Sequence, residues 1–191
     1  YQFLQSNRLP RGVEEQRLGA RRFPLWCSPD SPIAVAHNPS VINAIITSEP
    51  YPVKSMIISD ANPVLTFPDT RKVIEALRKL EILIVIAYTP SPTSEFADLI
   101  LPRKHPYEQN GVIFNRHGNC ITATPKLVEP PEGCLDVIDI LYRLSERMVE
   151  KGHIERNLIP WKNMDEFVEW RLSETDFSFK SLCESGTIAI E

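Results

Sequence analysis

The feature that most constrains this fold is the run from Ile82 to Ala87, six apolar residues without a charge. A run this short and this apolar fits a strand of a parallel sheet covered on both faces. What precedes it fixes its setting. Met56-Ile57-Ile58 is another short apolar run, and it breaks into the polar turn Asp60-Ala61-Asn62-Pro63. Between the two runs, Val73, Ile74, Leu77 and Leu80 recur at helical spacing, preceded by Asp69, whose carboxylate suits an N-cap. The opposite helix face carries Arg71, Lys72, Glu75, Arg78 and Lys79, with Glu75 one turn before Lys79 in the favourable order. Burying the four aliphatic side chains is worth at most roughly 6–12 kcal/mol, at about 1.5–3 each. Strand, helix, strand is a βαβ unit with a right-handed crossover, so both strands send their C-terminal ends to one edge of the sheet. The predicted class is α/β. The loops at 60–63 and 88–93 are expected side by side at that edge, where open α/β sheets bind ligands.

Elsewhere the chain is less regular. Residues 1–32 show little periodicity and carry Arg8, Arg11, Arg17, Arg21 and Arg22 among prolines, which reads as an extended arm. Such an arm can bind phosphate, although a solvated segment is the simpler reading. Asn38 and Pro39 suit the N-cap and first position of a helix with Val41, Ile42, Ala44, Ile45 and Ile46 inside, stopped by Glu49-Pro50-Tyr51-Pro52. Residues 96–102 read as a third short strand ending in proline. Val112-Ile113-Phe114 and Cys120-Ile121-Thr122 suit a hairpin across 115–118. Residues 135–149 form an amphipathic pattern with Val137, Ile138, Leu141, Leu144 and Met148 on one face. Two shorter helices are expected near 164–172 and 177–183, the second stopped by Gly186. These assignments divide the chain into an arm (1–38), an α/β domain (39–150) and a helical C-terminal extension (151–191).

Charge and cysteine content exclude several classes. A net charge of -4 argues against a nucleic-acid surface, and no apolar run approaches a membrane span, so neither nucleic-acid binding nor direct membrane insertion is expected. The four cysteines, Cys27, Cys120, Cys134 and Cys183, contain no CxxC pair, a spacing that supports neither zinc nor an iron–sulfur cluster. His37, His105, His117 and His153 show no ligand spacing either, and Walker, GxSxG and GxGxxG motifs are absent. No catalytic residue and no metal ligand is assigned. With 17 prolines against 7 glycines, the connections are expected to be stiff and ordered.

The remaining signals are the two strand-end loops. Asn62 offers a polar side chain beside free backbone N–H groups, and Pro63 fixes the exit from its turn. Thr89, Ser91, Thr93 and Ser94 supply hydroxyls interleaved with Pro90 and Pro92. A stiff, hydroxyl-lined loop near a helix N-terminus suits a nucleotide or phosphate. A pair of capped connections with no ligand accounts for the same residues equally well.

These residues also carry a resemblance. The string DANPVLTFPDTRKVIEALRKLEILIVIAYTPSPTSEFADLILP resembles the molybdopterin oxidoreductases, the dimethyl sulfoxide reductase family. The shared pattern is the turn Asn62-Pro63, the helix over 73–80, the strand over 82–86, Thr93, Ala97-Asp98 and Leu101-Pro102. Tyr107-Glu108, Gly111 and Asn115 match the family's E-x-x-G…N element, and Glu129-Pro130 with Gly133 match its next connection. FVEWRLS and FKSLCESG are similar to the thiosulfate and polysulfide reductase branch. The resemblance implies a Rossmann-like parallel sheet with flanking helices that helps hold a bis(molybdopterin guanine dinucleotide) cofactor along the strand ends. The implied cofactor-binding set is Asp60, Ala61, Asn62, Pro63, Thr89, Ser91, Thr93, Asp98 and Glu108. Where the family shows Asp after the second strand, this chain has Ala87.

The family's molybdenum ligand, N-terminal cluster cysteines and C-terminal cofactor domain have no counterpart in these 191 residues, and the first residue is Tyr1. The expectation is a domain fragment of a molybdenum or tungsten oxidoreductase, inactive and metal-free in isolation, and binding no cofactor alone. Its implied partners are the remaining domains of the parent catalytic subunit and an iron–sulfur electron-transfer subunit. The alternative is a free-standing, non-catalytic α/β module that binds a nucleotide or a protein. A small NAD-dependent enzyme is disfavoured, since it needs a glycine-rich first turn and an acidic residue after the second strand.

Overall fold

The structure is a computed structural model that describes residues 9–31, 35–115, 119–173 and 175–189. Arg8 and Pro32 of the expected arm, His117 and the hairpin turn at 116–118 lie outside the described residues. By internal contacts the chain forms two compact units: residues 1–85 with 90–100, and residues 86–89 with 101–191. No helix among the described residues is long and apolar enough to cross a membrane.

The first unit begins where the arm was expected. Two of its stretches are helical turns, α1 (Arg11–Glu14) and α2 (Pro24–Cys27), and Leu18, Ala20 and Cys27 are buried. Glu14 is buried as well, its carboxylate 3.1 Å from Arg17 Nη2, while Arg17 also donates to the Cys27 carbonyl at 3.0 Å. A carboxylate leaves water only with such a partner. Charge pairing three residues apart leaves no apolar period, which is why the sequence reads as a solvated arm.

Helix α3 (Asn38–Thr47) buries Ile42, Ala44 and Ile45 and starts one residue earlier than expected, with His37 at the N-cap. Strand β1 (Ser55–Ser59) leads into α4 (Pro63–Thr66), a single helical turn that the sequence reading leaves as loop. The predicted amphipathic helix is α5 (Thr70–Lys79). Asp69 caps it by accepting from the Lys72 N–H, Val73, Ala76 and Leu77 are buried, and Lys79 reaches Glu75 at 3.2 Å. Strand β2 (Ile82–Ala87) and β3 (Leu99–Pro102) complete a three-stranded parallel sheet of order β1-β2-β3 with flanking helices. The expectation that β2 is covered on both faces holds along most of the strand: Leu83 and Val85 are buried on one side of the pleat and Ile86 on the other, while Ile82, at the first position, remains 41% exposed. Residues 94–96 form a 3-10 turn, so the predicted third strand is shorter than its apolar pattern.

The second unit holds an antiparallel sheet of order β4-β5-β6, from β4 (Gly111–Asn115), β5 (Cys120–Thr124) and β6 (Thr187–Ala189). The predicted hairpin is present, with Phe114 opposite Ile121 and Asn115 opposite Cys120. Its inner residues Val112 and Ile121 pack with Val168, Leu172 and Leu182 from α7 (Met164–Leu172) and α8 (Phe179–Ser185). Arg171 closes this core: its guanidinium donates to the Val112 carbonyl at 3.0 Å and lies 4.5 Å from the Phe114 ring centre. Burial lowers the pKa of this side chain from the ordinary arginine range. Helix α6 (Val137–Glu150) is capped by Asp136, but Leu144 of its predicted inner face is exposed.

Candidate functional site

Within the first unit the sequence brings Asn62 and Thr93 together across 31 residues. Thr93 is fully buried, and its Oγ1 donates to Asn62 Oδ1 at 2.7 Å while accepting from the Val64 N–H at 3.2 Å. One hydroxyl therefore ties the turn after β1 to the loop after β2. The Asn62 carbonyl accepts from the Leu65 and Thr66 N–H groups, which winds α4 directly onto the turn. Pro63 occupies the first helical position, where a missing N–H costs nothing. The Asn62 side chain is thus held at its oxygen, and its Nδ2 has no partner among the described residues. The same holds for the backbone N–H groups of Ala61 and Asn62.

The loop after β2 is self-contained. Ser94, also buried, donates through Oγ to the Ser91 carbonyl at 2.6 Å and accepts from the Ser91 N–H at 2.8 Å. Sequence reading grouped Ser94 with the ligand-facing hydroxyls, but its hydroxyl closes the loop upon itself. Thr93, by contrast, is the pivot of the site and presents nothing to solvent. Asp60, at φ +50°, stands exposed at the head of the turn with Ala61.

Other expected positions lie apart. Asp98 accepts from the Leu83 N–H at 2.7 Å and donates its own N–H to the Leu83 carbonyl at 2.9 Å. That reciprocal pair sits at the start of β2, at the opposite sheet edge from the Asn62 turn, because the strands run parallel. The expected contribution of the α5 N-terminus is also altered, since Asp69 places a carboxylate on it. An anion meets that carboxylate before it meets the helix dipole.

Two candidates belong to the second unit. Thr89 is exposed, and its hydroxyl has no partner among the described residues. Glu108 forms a reciprocal cap: its carboxylate accepts from the His105 N–H at 2.7 Å, while His105 Nδ1 accepts from the Tyr107 N–H. Beside it, Tyr88 meets the His105 ring edge-on, and the Arg103 guanidinium lies 5.8 Å from the Tyr88 ring centre. Burial lowers the Arg103 pKa, opposed by the charge of Asp136. The neighbouring Gln109 Oε1 is buried with no partner among the described residues. Single-residue patterns give no signal for this cluster, because it is assembled by the Arg103 N–H bonding the Ala87 carbonyl. Among the described residues no group of His, Cys, Asp and Glu side chains could hold a metal ion.

The family described as Molybdopterin oxidoreductase matches residues 32–147. The chain is 29% identical over 175 residues to the periplasmic nitrate reductase of Desulfovibrio desulfuricans, covering 87% of this chain and 22% of that protein. It is 26% identical over 146 residues to the acetylene hydratase of Syntrophotalea acetylenica, covering 76% and 20%. The solved structure of acetylene hydratase from Pelobacter acetylenicus shares the fold, with a TM-score of 0.78 at 21% identity over 96% of this chain and 27% of that one. The chain thus spans 20–22% of the length of these curated relatives. By the match over residues 32–147, the chain belongs to the molybdopterin oxidoreductase family.

Proposed function

We propose that this chain supplies part of the cradle for a molybdopterin guanine dinucleotide cofactor in a molybdenum or tungsten oxidoreductase, and carries no catalytic residue itself. The observation that supports this reading is the Asn62–Thr93 tie. It fixes the amide of Asn62 by its oxygen and leaves the Nδ2 donors, with the N–H groups of Ala61 and Asn62, open at the C-terminal end of β1. Three unpaired donors at the end of a parallel strand suit phosphate or ribose oxygens. In this reading Asp60, Ala61, Asn62 and Pro63 make the contact, and Thr93 and Ser91 hold it in shape. Asp98 acts as a positioning residue through the Leu83 N–H that it caps. The sheet is read as the Rossmann-like half-site of the cofactor domain.

The redox chemistry would be the cofactor's own, and the chain's part is to bind and orient. Ala87 leaves the end of β2 without a carboxylate, so a guanine base is not read there by an acid. The other domains of a catalytic subunit, and an iron–sulfur electron-transfer subunit, are the partners this role requires. A dinucleotide enclosed from one side only binds weakly, with a Kd around 1 mM for guanosine diphosphate, or about -4 kcal/mol. Titration calorimetry on Asn62→Asp tests the role. Replacing the amide donors by a carboxylate should weaken guanosine diphosphate about tenfold or more, while Asn62→Gln should lose less. Unchanged affinity in Asn62→Asp would remove Asn62 from the contact.

A further inference from the structure

The arginine-rich stretch is not used by the site described so far. In the first unit residues 12–23 face the start of α3 and the turn at 49–51 across a groove of about 970 Å³, within the range of small-ligand sites. Its wall is tightly fitted. The His37 N–H donates to the Leu18 carbonyl at 2.9 Å, and Gly19, at φ +94°, lies so close that a Cβ there would stand 2.5 Å from His37 Cβ. The rings of Phe23 and His37 stack with centres 3.7 Å apart. His37 Nδ1 is engaged by Ser40 Oγ at 2.9 Å, so Nε2 is the ring nitrogen left.

The charges around the groove are not balanced. Arg17 is engaged by Glu14, and Arg11, whose guanidinium is held in both prongs by Asp30, also reaches Glu15 at 3.3 Å. Arg21 and Arg22 are exposed and form no ion pair among the described residues, and the lining carboxylates are Glu15 and Glu49, two against the three lining arginines Arg17, Arg21 and Arg22. Arg22 stands over the Phe23 ring at 5.5 Å, which holds its guanidinium at the groove wall. Tyr51 adds a half-exposed ring on the opposite side.

We propose that this groove binds a phosphorylated ligand of nucleotide size, with Arg21 and Arg22 taking the phosphates. Guanidinium forks match phosphate oxygens in pairs, and the Phe23–His37 stack with Tyr51 gives a flat ring an apolar wall. The site shares no residue with the Asn62–Thr93 turn and stands independently of its role.

The test is amide chemical-shift mapping of the full chain with adenosine diphosphate, beside adenosine and pyrophosphate. Adenosine diphosphate should shift amides in 19–23 and 37–40, and bind more tightly than either probe alone. The double variant Arg21→Gln/Arg22→Gln, altered only at exposed positions, should keep its spectral dispersion and lose about tenfold in affinity. Binding of adenosine as tight as the diphosphate would overturn the phosphate role. Pyrophosphate binding as tight as the diphosphate would overturn the nucleotide-sized ligand. Shifts confined to 60–70 would overturn this site while leaving the Asn62 turn intact.

Discussion

The parallel sheet β1-β2-β3 and the antiparallel sheet β4-β5-β6 each have three strands, yet they bury their apolar residues differently. In the antiparallel sheet exposure alternates along β4: Val112 is buried, Ile113 is exposed and Phe114 packs inward. Helices α7 and α8 cover the inner side, and Arg171 seals it. In the parallel sheet both sides of the pleat are apolar, and Ile57, Ile82, Leu99 and Ile100 all stay more than 40% exposed. An alternating strand states which side it buries and can be satisfied locally. A continuous apolar strand asks for cover on both sides, and β2 finds it at Val85 and Ile86, whereas its first residue Ile82 and the edge-strand residues Ile57, Leu99 and Ile100 stay exposed.

The contrast is sharpest in the fully buried side chains. Leu83→Ala in the parallel sheet unit and Leu182→Ala under the antiparallel sheet each empty a site with no solvent access. Each should cost about 2–5 kcal/mol in urea denaturation. A cost below about 1 kcal/mol for Leu182→Ala would mean that α8 does not close its sheet as described.

A smaller effect is expected at the tie between loops. Thr93→Val keeps the shape but removes the donor to Asn62 and the acceptor for Val64, at about 1–3 kcal/mol. Thr93→Ser keeps both bonds and should retain most of the stability. Equal losses in the two variants would show that the methyl group, rather than the hydroxyl, matters at this position.

The smallest effect belongs to the edge strand β3, where Leu99 and Ile100 are both exposed. Ile100→Thr, at a side chain 52% exposed, should change stability by no more than about 0.5 kcal/mol. A loss near that of Leu83→Ala would show that this strand is covered in solution, which a sedimentation measurement would trace to self-association.

Much of this architecture is legible in the residues because it rests on periodicity. The spacing of Val73, Leu77 and Leu80, the Asp69 cap and the hairpin register each follow from local rules. The Asn62–Thr93 pairing is legible only as topology: a βαβ unit brings the loops together, but nothing local says that Thr93 is buried or that Ser94 bonds within its own loop. The Glu14–Arg17 pair and the fold of the arginine-rich stretch are hidden for another reason. Their order depends on compensating charges and on the clearance that Gly19 leaves for His37, and neither leaves an apolar pattern. Asp98 lies apart because its carboxylate caps the start of β2, a role that motif matching does not distinguish from ligand contact.

The turn at 60–63 is the proposed contact for a guanine nucleotide, and amide chemical-shift mapping with guanosine diphosphate tests it most directly, with adenosine diphosphate as control. The predicted result is saturable shifts at Ala61, Asn62 and Val64, together with Ser91 and Thr93, that are weaker with the control. Shifts from guanosine diphosphate confined to residues outside 60–70 and 88–94 would contradict it.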